Sequence, residues 1–234
     1  MLYMLLPHEQ HSDDGLGAMG DEFEEAGNAL ELAPDKGTYF RITRCYLYRH
    51  AIELYLKSVV IILHRGLKIP YGKEPYHGAG YMKLNGRWHP LYRTHSLKDL
   101  WEYVREIIQA SQNELEARCK TDWQDIPDEL SEAIEKIDKL DRTSTFFRYP
   151  SPLEATAEIT KSAWREVSMD SVDEALPTNK PIKMMLLSDP ADNVKAAFQY
   201  HDETLAEILE LLKKTANDLT GFHIGLRCEL MDGR

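Results

Sequence analysis

"TYFRITRCYLYRHAIELYLKSVVIILHR", Thr38 to Arg65, decides how the rest of the chain is read. It runs 28 residues with no Gly or Pro, and Gly66 follows as a C-terminal stop. Apolar residues cover most of its circumference, so the spacing predicts a central, buried helix. At 100° per residue its polar residues gather on one side. Arg49, Glu53, Lys57, His64 and His50 fall within a strip of roughly 100°. A mostly apolar helix with one narrow polar strip either shows that strip to water or lines a cleft. Glu53 and Lys57 also stand four apart in the favourable order, which stabilises an exposed helix by only a few tenths of a kcal/mol. Held away from water, the same pair requires further partners.

Elements of the same kind flank this helix. Asp21 to Leu32 carries Phe23, Ala26 and Leu30 and reads as a short amphipathic helix that stops before Pro34. Residues 1–19 show no periodicity and read as an N-terminal arm. "THSLKDLWEYVREII" opens another helix, with Ser96 as N-cap and Asp99 three residues on. A fourth starts near Pro127, bears the stripe Leu130, Ile134, Ile137 and Leu140, and runs toward "DRTSTFFRYP", ending before Pro150. Asp189-Pro190 offers an N-cap and an N1 proline for a last helix with Val194, Phe198, Leu205, Ile208, Leu209 and Leu212 on one face. The fold class expected is mainly all-α, a single domain over 1–234 built as an antiparallel bundle of four or five helices.

Two segments interrupt that pattern. Residues 67–94 hold three prolines and, in "YMKLNGRWHPLYR", an Asn85-Gly86 pair between short apolar and aromatic runs, a β-hairpin signal. Its Tyr81, Trp88 and Tyr92 interleave with Lys83, Arg87 and Arg93. Rings beside cations can stack and hold single-stranded nucleic acid, or the rings can pin the loop to the helices. Residues 151–187 form a second, loop-like excursion with a strand pair expected around "EITKSAWREVSM".

Charge is unevenly spread. The whole chain of 234 residues carries −11, yet between Lys36 and Asp99 there are 12 Lys or Arg against three acids. A basic face for a polyanion and mutual neutralisation within the fold both fit that split. The acidic remainder is suited to a basic partner protein. Three cysteines without a CxxC pair fit a reducing, cytoplasmic setting. No apolar run reaches the roughly 20 residues that span a bilayer. No Gly-rich phosphate loop, GxSxG elbow or HExxH pair is present, and no cofactor is expected. His77, His89 and His95 lie in or beside the long loop without cysteines at zinc spacing, so a metal-dependent hydrolase is the weakest reading.

Three segments resemble one family. "HAIELYLKSVV" resembles the "QAAEKALKALL" helix of HEPN domains (higher eukaryotes and prokaryotes nucleotide-binding). "THSLKDLW" is similar to that family's "THDLEELL", and "FFRYP" to its "TRYPD". The resemblance covers about residues 38 to 150, and the helix expected from Asp189 fits as the closing one. It implies a helical bundle that often forms a homodimer and takes part in RNA cleavage, toxin–antitoxin or phage-defence systems, or nucleotide binding. It points at His50, Glu53, Lys57, His95 and Arg148. The family's RNase branch carries an Arg followed after four to six residues by His. Arg148 has no His after it until His201. Arg44 and His50 have that spacing but lie about 120° apart on a helix, and on the wrong helix. The chain is similar to the branch with "RYP" that lacks the dyad.

The leading expectation is a protein that binds RNA or a nucleotide, with a metal-independent RNase activity. His50 or His95 would serve as general acid/base and Arg148 as the phosphate-binding group, with Arg49, Glu53, Lys57, Lys83, Arg87, Trp88, Arg93 and Tyr149 in binding roles. The alternative is a non-catalytic dimeric interaction module in which the polar cluster fixes packing. An antitoxin or other protein partner suits either. One geometric question separates them: whether Glu53, His95 and Arg148 meet on an open cleft.

Overall fold

The computed structural model describes residues 7, 10–32, 40–149, 161–168, 183–201 and 204–233. They are mainly helical, with two small antiparallel sheets. The chain divides into two compact units, Met1–Tyr149 with Ile208–Arg234, and Pro150–Glu207.

The first unit is built round α2, Arg41–Gly66. Tyr48, Ile52, Tyr55, Leu56, Val59 and Leu63 are fully buried on it, as a helix apolar on nearly every side requires. α1, Leu16–Glu31, packs along it through small residues. A Cβ on Gly20 would stand 2.7 Å from the Tyr55 ring, and one on Gly27 2.9 Å from the Tyr48 ring. The freed space brings the Tyr55 hydroxyl, with its one proton to donate, within 2.8 Å of Asp21 Oδ1 and 2.9 Å of Glu24 Oε2, and lets Tyr48 donate to Asn28 Oδ1 (2.8 Å).

α1 starts five residues earlier than its apolar pattern predicts, because Asp13 organises its first turn. The Asp13 carboxylate accepts from the N–H groups of Gly15 (3.1 Å) and Gly17 (2.8 Å) and from the Ser58 hydroxyl (2.6 Å). Asp13 is buried and bonded to Ser58 of α2, so His11, Asp13 and Gly15 of the expected arm are buried while Asp14 is exposed.

The hairpin lies where its turn signal puts it: β1, Tyr81–Leu84, pairs with β2, Arg87–Pro90. Asn85 (φ 49°) and Gly86 (φ 77°) take the two positive-φ places of the turn. A short 3₁₀ turn, Leu91–Arg93, leads to α3, Leu97–Ala110, whose N-cap is Ser96 accepting from Asp99 N–H at 3.1 Å. α4, Gln112–Arg118, buries only Leu115 and has too short an apolar pattern to be read from sequence. α5, Asp128–Leu140, packs on α3, where Trp101 donates to Ser131 (2.9 Å) and Lys98 N–H to Asp138 (3.2 Å).

α5 ends nine residues before the expected stop at Tyr149. Asp141 turns the chain, its Oδ1 accepting from the N–H groups of Thr145 (2.7 Å) and Phe146 (2.9 Å), and Ser144 takes φ 58°. Phe146 to Tyr149 of "FFRYP" therefore lie beyond the helix, with Phe147 buried and Arg148 and Tyr149 exposed.

The second unit holds β3, Trp164–Val167, β4, Met184–Ser188, and β5, Val194–Tyr200, in the order β3-β5-β4. β3 pairs with β5 rather than with a sequence neighbour. The expected excursion at 151–187 is thus partly a sheet, and its residues 151–160 and 169–182 lie outside the described ones. The helix expected from Asp189 is corrected too. Asp189 Oδ1 accepts from Ala191 N–H (2.9 Å) and Asn193 N–H (3.0 Å) and closes the β4–β5 turn. Asp-Pro starts turns as readily as helices, and the spacing of Val194 and Phe198 coincides with a helical repeat by chance. The closing helix, α6, spans Ala206–Leu230.

Candidate functional site around Glu53 and His95

The polar strip of α2 divides three ways. Arg49 and Glu53 reach the residues before α3 and after α5, and Lys57 pairs with Glu53. His50 turns toward α1, where its ring meets Phe23 edge-on at 4.4 Å and stacks on Tyr46 at 5.8 Å. Burial there holds the His50 pKa below its usual value, against the pull of Glu53. His64 is core: its Nδ1 lies 2.8 Å from the Ile69 carbonyl and its Nε2 2.9 Å from the Tyr103 hydroxyl.

Glu53 is the hub. Its Oε1 accepts from Lys57 Nζ at 2.7 Å and lies 3.0 Å from His95 Nδ1, while its Oε2 accepts from Arg49 Nη1 at 3.1 Å. Burial by itself would raise the Glu53 pKa, but the Lys57 and Arg49 charges and the hydrogen bonds outweigh it and hold the carboxyl below its usual value. An ionised carboxylate only accepts, so His95 presents Nδ1–H to Glu53. In the neutral ring this leaves Nε2 as a free acceptor. Arg49 Nη2 donates in turn to the carbonyl oxygens of His95 (2.7 Å) and Asp141 (3.1 Å). One buried guanidinium thereby ties α2 to the residue before the α3 cap and to the residue after α5.

Exposure separates the members. The side chains of Arg49 and Glu53 are 1% and 2% exposed, whereas that of His95 is 41% exposed. His95 lines a cleft of about 450 Å³ between the hairpin and the chain after α5. Its polar wall includes His89, Arg93, His95, Ser96, Asp99 and Arg142. Arg142 is aligned by Asp99, whose two carboxylate oxygens each lie 3.2 Å from Nη2, leaving further guanidinium donors for a ligand. Among these side chains cations outnumber acids, and the α3 N-terminus lies at the same place.

Of the residues expected to act together, Glu53 and His95 meet, with Arg49 and Lys57 behind them. Arg148 does not join them: it is exposed, with its guanidinium 5.4 Å from the Tyr46 ring. Arg49, four residues from Glu53, supplies the guanidinium instead. Arg44, the spacing partner of His50, pairs with Glu31 at 3.0 Å. Arg93 lines the cleft, and its guanidinium lies 5.7 Å from the Tyr92 ring. Trp88 is used for packing, edge-on to His64 (6.2 Å), Tyr71 (6.3 Å) and Tyr103 (6.5 Å). Lys83, Arg87 and Tyr149 are exposed and do not line this cleft.

Sequence reasoning missed Arg142 altogether and weighed His89 only as a metal ligand. Arg142 follows the true end of α5, so the misplaced helix end concealed it. His77 does not line the cleft, and among the described residues no group of three or more His, Cys, Asp or Glu could hold a metal ion. Among them, too, no helix is long and apolar enough to cross a membrane. No family model matches the chain, and no curated protein or solved structure is significantly similar to it.

Proposed function

We propose that this chain is a HEPN-like helical bundle that binds RNA at the His95 cleft and cleaves it without a metal. The observation that carries the reading is His95, held through Nδ1 on a buried carboxylate, part-exposed, and lining a cleft with Arg93 and Arg142. A histidine oriented by a carboxylate is the usual form of a general base. Arg93 and Arg142 give the cleft donors suited to phosphate oxygens.

In this reading His95 Nε2 takes the proton of a ribose 2′-hydroxyl. The freed oxygen attacks the adjacent phosphorus, and the bond from phosphorus to the 5′-oxygen breaks. His89, on the same wall, returns a proton to that leaving oxygen. The products are a 2′,3′-cyclic phosphate and a 5′-hydroxyl. Arg142 and Arg93 stabilise the charge that develops on the phosphorane oxygens. DNA lacks the attacking hydroxyl and is bound without being cut.

The test is anisotropy of a labelled single-stranded RNA at low salt. Wild type is expected to bind, with affinity falling steeply as salt rises, and Arg93→Ala with Arg142→Ala should flatten that slope by about one per lost phosphate contact. Equal binding by the double variant would remove the cleft from the account.

A second reading rests on one specific observation, the sealing of Arg49, Glu53 and Lys57 between three helices. In it the cluster fixes the packing of a non-catalytic, dimeric interaction module. That reading expects Glu53→Gln and His95→Ala to change stability alone, in a protein that neither binds nor cuts RNA.

A further inference from the structure

The first unit also carries a groove of a different chemistry, of about 650 Å³, between α6 and the chain leading into α5. Trp123, Ile126, Pro127, Leu130 and Phe222 make its apolar lining. Its rim carries Asp122, Asp125, Glu129 and Asp218, with Lys214 also among the lining residues. None of these four acids is ion-paired with a Lys, Arg or His among the described residues.

The groove wall is held from behind. Glu229 on α6 accepts from Trp123 Nε1 at 2.8 Å, from Lys120 N–H at 3.1 Å and from Thr121 N–H at 3.2 Å. Gln124 donates to the Ile108 carbonyl at 3.0 Å, and the Trp123 and Phe222 rings meet edge-on at 5.1 Å. The floor holds two glycines one turn apart on α6. Gly225 is required, since a Cβ there would lie 2.7 Å from the Trp123 ring. Gly221 is not: a Cβ there would meet no atom within 4 Å. A glycine in a helix interior is destabilising relative to alanine. At Gly221, which lines the groove, no contact of the glycine offsets that cost.

We propose that this groove receives an amphipathic, basic helix of a partner protein. Its apolar side chains would seat on Phe222 and Trp123, and its Lys or Arg would meet the four carboxylates. From Lys214 to Gly225 the groove edge runs about 16 Å along α6, the length of a three-turn helix face. Charge complementarity selects a basic partner, and the missing side chain at Gly221 permits close approach of its backbone.

The experiment uses the full chain and three labelled 18-residue peptides: Leu on one helical face with Lys elsewhere, the same with Glu for Lys, and the same with Ala for Leu. The Leu/Lys peptide should bind at least ten times more tightly than either control. Gly221→Leu should weaken it at least tenfold while the melting temperature is kept or raised. Asp218→Lys gives a second variant with the same expected loss. Undiminished binding to Gly221→Leu overturns the proposal, as does equal binding of the Ala/Lys peptide. Binding of phenethylammonium in the groove with no peptide binding would also overturn it, in favour of a small-molecule site. RNA binding at the His95 cleft should be unaffected by Gly221→Leu, so the outcome is independent of the proposed function.

Discussion

Glu53 and His95 stand 3.0 Å apart across two elements, one side chain sealed among helices and the other 41% exposed. The pair joins the interior of the first unit to its surface. Removing either partner therefore has different consequences. Glu53→Gln leaves Arg49 and Lys57 buried without their counter-charge, and loss of one partner of a buried ion pair costs about 3–5 kcal/mol. His95→Gln removes a group that water already reaches, and should cost about 1 kcal/mol or less. Urea unfolding of the two variants checks the order, and equal losses would contradict it.

Stability should fall with pH in two stages. Burial holds the His50 and His64 pKa values below 6.5. A histidine so depressed binds fewer protons folded than unfolded, so its contribution is full above about pH 6.5 and is lost as pH falls below it. Glu53 is held below 4.5, so its contribution is lost only as pH falls below that value. Urea midpoints at about pH 7.5, 5.5 and 4.0 should decline at each step, and His64→Gln should flatten the first. A midpoint unchanged between the two higher values would refute the histidine assignment.

The cysteines should differ in reactivity. Cys45 is fully buried, and burial pushes its thiol up to about 12. Cys228 is exposed. A thiol reagent at about pH 8 should modify Cys228 in the native protein and Cys45 only after unfolding. Rapid native labelling of Cys45 would show that α2 is not the buried helix described.

Two glycines on helices should respond oppositely to alanine. Gly20→Ala drives a Cβ into the Tyr55 ring and should destabilise by about 1–3 kcal/mol. Gly221→Ala meets open space and should be neutral or stabilise by up to about 1 kcal/mol. Differential scanning calorimetry distinguishes them.

Local signals carried well where one residue type had one physical use. Asn85-Gly86 needs positive φ, Ser96 faces an open N–H three residues on, and α2 lacks any breaker. They failed where a residue serves two geometries. Asp189-Pro190 suits a helix start and a turn alike, and only the pairing of β5 with β3 and β4 decides between them. Asp141 ended α5 by accepting N–H groups four and five residues ahead, which no apolar period reports.

The site followed the same rule. Arg49, Glu53 and Lys57 are legible because four-residue spacing places them on one helix face. The approach of His95 to Glu53 spans 42 residues, and that of Arg49 to the Asp141 carbonyl spans 92, so both depend on how three helices pack. Arg148 drew attention through its motif, yet the guanidinium that holds Glu53 sat one turn away on the same helix.

The most direct measurement is cleavage of a 5′-labelled single-stranded RNA by metal-free protein in EDTA, comparing wild type with His95→Ala. The account predicts fragments ending in a 2′,3′-cyclic phosphate, and a rate at least 100-fold lower for His95→Ala at unchanged RNA affinity. Equal rates for the two proteins, or no cleavage by wild type that binds the RNA, would contradict it.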